Sequence, residues 1–146
     1  MKPKRIPRPA LPPPGLRPRL RGDQLRALAL CHIQAMDSIA RGDATSATLW
    51  QVAEAALAWS RAADLMHIGE AEMQAQLELA LSLIERYRRT GRVAFSGPEY
   101  QAAKAGVAVM DEVAEHTDRA TALAACEWAD RRVVAMMAAS RARAAA

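Results

Sequence analysis

Three histidines and two cysteines are the side chains of this chain best suited to metal or nucleophilic chemistry. Asp64 and His67 stand at i, i+3, and Glu112 and His116 at i, i+4, so each pair shares a helical face. A di-metal helical bundle needs a Glu-x-x-His pair on each of two helices with further carboxylates opposite. Only Asp64-Leu65-Met66-His67 approaches that pattern, and it does so once. Cys31 and His32 are adjacent, so on a helix they point about 100° apart and make a poor pair for one ion. A core histidine bonded to backbone or carboxylate is the simpler reading. There is no Gly-x-Ser-x-Gly elbow and no Gly-rich phosphate loop. Cys31 and Cys126 fall on helical faces, where thiols are usually inert packing. These residues predict a protein that is not an enzyme, with no metal ligand, no cofactor and no small-molecule substrate.

Charge offers a second chemistry. Lys2, Lys4, Arg5, Arg8, Arg17, Arg19 and Arg21 share the first 22 residues with seven of the eight prolines, and no acidic residue joins them before Asp23. Such a segment cannot bury a core. Its cations would neutralise phosphates in a sequence-independent, salt-sensitive way. It has no aromatic side chain for stacking on bases. Its prolines equally suit an extended strap across a neighbouring subunit or an aromatic-lined groove. Arg86, Arg88, Arg89 and Arg92 form a second cluster that would extend a phosphate track. The plainer account is that cations near a helix C-terminus complement its dipole, with Glu85 and Arg89 paired at i, i+4. The remaining thirteen basic residues face sixteen acidic ones, so the body is mildly acidic and the basic character belongs to the arm.

Tryptophan offers a third. Trp50 and Trp59 lie half a turn out of phase on one helix, so they cannot both enter one core. Either that helix is central and packed on two sides, or Trp50, Leu57 and Ile68 form a partner-contact patch. Gly42 and its neighbours give a turn of helix-turn-helix length, but the helix after it is apolar on two sides, a poor reader of the major groove.

The elements that must position these residues are helical. Alanine supplies 34 of 146 residues, with Leu, Met, Glu, Gln and Arg common, which is the order of good helix formers. Prolines make the arm, residues 1–22, extended. A first helix runs from Asp23, as N-cap, to the residue before Gly42, with Leu25, Leu28, His32, Met36 and Ile39 on its stripe. After a turn capped by Asp43 or Thr45, a second covers about 46–68 with Leu49, Val52, Ala56, Trp59, Ala63 and Met66 inward. A third covers about 71–90, with Met73, Leu77, Ala80, Ile84 and Tyr87 inward and Gly91 as its C′ residue. Ser96 and Glu99 match a capping box, flanked by Phe95 and Tyr100 as a hydrophobic staple. That helix carries Tyr100, Ala103, Val107, Met110 and Ala114 inward to about His116. Thr117 or Asp118 caps a fifth helix with Leu123, Cys126, Asp130, Val133 and Met137 on one stripe. No Gly or Pro separates the last two, so they are two helices or one bent helix. The tail after about residue 140, rich in Ala and Arg, is expected to fray.

The sequence therefore predicts an all-α bundle of about five helices, residues 23–146, preceded by the arm. Two cysteines are too few for a disulfide framework, and no segment is long and apolar enough for a membrane span, so the expected setting is cytoplasmic. In its alanine- and arginine-rich style, with short helices, the chain resembles small proteins of GC-rich proteobacteria and of their phages and mobile elements. That resemblance implies a setting and no site residues. The functional expectation is a helical interaction or assembly protein that self-associates as a homo-oligomer. The alternative is a nucleic-acid-associated accessory protein whose arm contacts phosphates.

Overall fold

Five helices account for nearly all of the computed structural model, which describes residues 17–146: α1 (Gly22–Arg41), α2 (Ser46–Met66), α3 (Glu70–Thr90), α4 (Gly97–His116) and α5 (Arg119–Ala145). Residues 1–16, and with them Lys2, Lys4, Arg5 and Arg8, lie outside the described residues. No strand occurs among those described; the one isolated bridge joins Arg19 to Asp118.

The helix stops are local. Gly42 and Gly91 adopt left-handed backbone with φ of 73° and 71°, and their N–H groups bond back to the Ile39 and Tyr87 carbonyls. The Ser96–Glu99 capping box forms: the Ser96 N–H donates to the Glu99 carboxylate at 2.8 Å, and the Glu99 N–H to Ser96 Oγ at 3.3 Å. The Phe95 and Tyr100 rings meet at 5.9 Å between centroids, as a staple requires. Thr45 rather than Asp43 caps α2. Thr117, with φ −87° and ψ 131°, breaks the chain between α4 and α5, and Asp118 caps α5, so these are two separate helices.

Helix α2 meets all four others, most extensively α3 and α5. That is why it carries apolar side chains on several faces. Trp59, Met73, Met110 and Val113 form one buried cluster. Ile39, Leu49, Leu83, Ile84 and Val93 form a second. Leu57, Ala58, Ala129 and Val133 form a third, under α5.

Two expectations need correction. Helix α1 starts two residues earlier than its sequence suggests: Arg21 is the N-cap, its N–H held by Gln24 Oε1 at 2.9 Å, while Asp23 instead pairs with the Arg21 guanidinium. The α5 stripe is rotated by about one residue. Ala122, Ala125, Ala129 and Val133 face inward, whereas Leu123 is 60% exposed and Cys126 and Asp130 are also exposed. Alanine faces let α5 lie close against α2, and that close approach leaves no room inside for the longer side chains. Helix α5 continues through Ala145, with Ser140 its last buried residue.

Candidate functional site

The described end of the arm is docked. Pro18 O accepts the Arg119 N–H at 2.8 Å, and the Arg17 guanidinium approaches Asp118 at 4.0 Å. Leu20 packs against the Trp59 cluster. Asp118 organises this corner: Oδ1 accepts the Thr121 N–H at 2.9 Å and Oδ2 the Thr121 hydroxyl at 2.6 Å. Burial pushes the Asp118 carboxyl up, but the two Thr121 donors and Arg17 outweigh it, so the group stays below the usual carboxylate range. Two arm cations are thus already engaged within the chain, Arg17 with Asp118 and Arg21 with Asp23 at 3.0 Å; Arg19 is exposed.

The second arginine cluster divides. Arg86 forms a two-pronged pair with Glu99 and also donates to the Ala94 carbonyl at 3.1 Å. It ties the end of α3 to the start of α4. The Arg86 guanidinium is the largest of the influences that hold the Glu99 carboxyl down at about 2. Glu85 pairs with Arg88 at 3.0 Å rather than with Arg89. Arg89 and Arg92 are exposed beside the turn at Gly91. Arg86 and Arg88 therefore have acidic partners inside the chain, and only part of the cluster faces outward as a free cationic surface.

Trp50, Leu57 and Ile68 are not gathered on the surface. Leu57 is 4% exposed beneath α5. Trp50 is half-buried between the second and third clusters, and Ile68 is half-buried against the first. Here the periodicity of α2 was informative about apolar faces but silent about which neighbour covers each one.

The histidine pairs also part. His67 takes left-handed backbone (φ 56°) at the end of α2, and its Nδ1 lies 2.9 Å from Glu70 Oε1 rather than beside Asp64. His116 Nδ1 bonds to the Glu112 backbone carbonyl at 2.9 Å, not to its carboxylate. Among the described residues no three His, Cys, Asp or Glu side chains converge as a metal site, and no helix is long and apolar enough to cross a membrane.

Two features went unread in the sequence. Leu30 and Ile33 on α1 are 57% and 55% exposed, and Leu123 and Val134 on α5 are 60% and 59% exposed. The second feature lies beneath α1, which contributes a single fully buried residue, Ile39. There a cavity of about 400 Å³ opens between α1, α2, α3 and α4 and reaches Cys126 of α5, with His32 and Cys31 of α1 also on its wall. His32 Nδ1 is buried without a hydrogen-bonding partner. The signal for the first was the surplus of large apolar residues off the α1 stripe. No local pattern announces a cavity.

No protein-family model, no curated protein and no solved structure matches this chain.

Proposed function

We propose that this is a non-enzymatic helical assembly protein that pairs with a second copy of itself through the outer faces of α1 and α5. The observation that carries this reading is the set of large apolar side chains more than half exposed: Leu30, Ile33, Leu123 and Val134. Leu30 and Ile33 lie on one face beside exposed Ala27, and Leu123 and Val134, eleven residues apart, share one face of α5. Isolated surface leucines need no explanation, but an apolar strip along a helix is the material of helix–helix association. These two helix faces, rather than Trp50, Leu57 and Ile68, are the proposed contacts, because Leu57 is consumed by the protein's own interior.

The test is sedimentation equilibrium of the full chain and of the double variant Leu30→Glu, Ile33→Glu, at low and high salt, with and without mixed short duplex DNA. Burying each half-exposed side chain contributes about 1 kcal/mol. A twofold interface counts each residue twice, so the variant is expected to weaken association at least ~100-fold. A wild-type chain that stays monomeric at tens of micromolar defeats the reading. DNA binding that high salt abolishes and the double variant retains would put the phosphate-contacting arm, with Arg19, Arg89 and Arg92, in its place.

A further inference from the structure

The space under α1 has the size and lining of a ligand site. Its wall includes Met36 and Ile39 of α1, Val52 and Trp59 of α2, Leu83 of α3 and Met110 of α4. At about 400 Å³ it falls within the range of small-molecule pockets. Left empty, it would forfeit dispersion contacts along every lining side chain. Filled with water, it would offer polar side chains only at His32, Gln51, Glu54 and Gln76 on an otherwise apolar wall. No lysine or arginine lines it, while Glu54 does and Asp111 acts on His32, so an anion is disfavoured. One polar atom on the wall is conspicuously unsatisfied, His32 Nδ1.

We propose that this cavity binds a neutral, mainly apolar small molecule bearing one hydroxyl group, which fills the space beneath α1 and hydrogen-bonds to His32 Nδ1. Burial depresses the basicity of His32, with Asp111 opposing it only in part, so the ring is neutral at pH 7. A neutral imidazole presents Nδ1 as a donor or an acceptor according to tautomer, and a hydroxyl can answer either. The site does not depend on the outer apolar strip, so binding and self-association are separable properties.

The test uses the full chain with N-phenyl-1-naphthylamine as a fluorescent probe, displaced by 2-naphthol or by 2-methylnaphthalene. Saturable binding of one probe per chain is expected, with energy transfer from tryptophan because Trp59 lines the cavity. 2-Naphthol should bind roughly 3- to 10-fold more tightly than 2-methylnaphthalene, the value of one net hydrogen bond. His32→Leu should keep the methylnaphthalene affinity and abolish that preference. Ala35→Leu, which fills space from α1 with a good helix former, should weaken both ligands. Methyl resonances of Met36 and Met110 should shift on saturation and that of Met137, which lies outside the cavity, should not. If Ala35→Leu fails to fold, His32→Leu and the methyl map still decide. No saturable binding, shifts that include Met137, or a naphthol preference indifferent to His32→Leu would overturn the proposal.

Discussion

Replacing Glu99 by Gln should cost about 1–2 kcal/mol of stability at pH 7 and remove a distinct acid-sensitive component. A carboxyl held at about 2 against an ordinary 4.5 sets an upper bound of about 3 kcal/mol on the preference for the ionised form. The Arg86 and Glu99 side chains keep 34% and 20% of their surface exposed, and solvent screening lowers the bound to the smaller figure. The depressed value means the stabilisation is complete above about pH 5 and is lost as pH falls from there toward 2. Gln keeps an oxygen for the Ser96 N–H, so the capping box survives and the change reports mainly on the ion pair. Urea denaturation at pH 7 and pH 3 on the full chain, for the wild type, Glu99→Gln, Arg86→Met and the double variant, measures the coupling directly. The wild type and Glu99→Gln should converge as pH falls. A coupling below about 0.3 kcal/mol at pH 7, or parallel pH profiles, would refute the pairing as the link between α3 and α4.

Other perturbations test other joints. Gly69→Ala, at φ +64° with its new Cβ only 2.6 Å from Val109 Cγ1, should destabilise the chain by about 2–3 kcal/mol through left-handed strain and overpacking against α4; a urea midpoint close to wild type would show that the α2–α3 turn relaxes freely. Asp118→Ala removes the cap of α5 and the anchor of Arg17, and should cost about 1–2 kcal/mol. The same variant should speed hydrogen exchange at the Arg119 amide, whose acceptor is Pro18 O; unchanged protection there would mean that the arm docks without Asp118.

Much of the architecture was legible because its causes are local. Gly42 and Gly91 end helices through left-handed backbone that other residues adopt only with strain. The Ser96–Glu99 box and the Phe95–Tyr100 staple depend on residues within one turn of each other. The boundary between α4 and α5 was ambiguous because Thr117 and Asp118 are compatible both with a continued helix and with a cap; the docked arm, pairing at Arg19 and Pro18, occupies the corner where the chain turns.

Which face of a helix turns inward was a different matter. α5 distributes apolar and charged residues around its whole circumference, so its own pattern favours no side. Close packing of Ala125 and Ala129 against α2 chose the face, leaving Leu123 outside and Leu57 of α2 enclosed. Likewise, Arg86 had Glu85 and the helix dipole as sequence neighbours, yet its partner is Glu99, thirteen residues away across a turn. Most helix stops and the α4 start could be read from local residues, since capping and coiling free energies arise within a few residues of one another, whereas the α1 start and the α4–α5 break could not. Tertiary structure alone decided which arginines were neutralised, which apolar strip remained outside and where α1 left a cavity over His32, because each depends on shapes meeting across long stretches of chain.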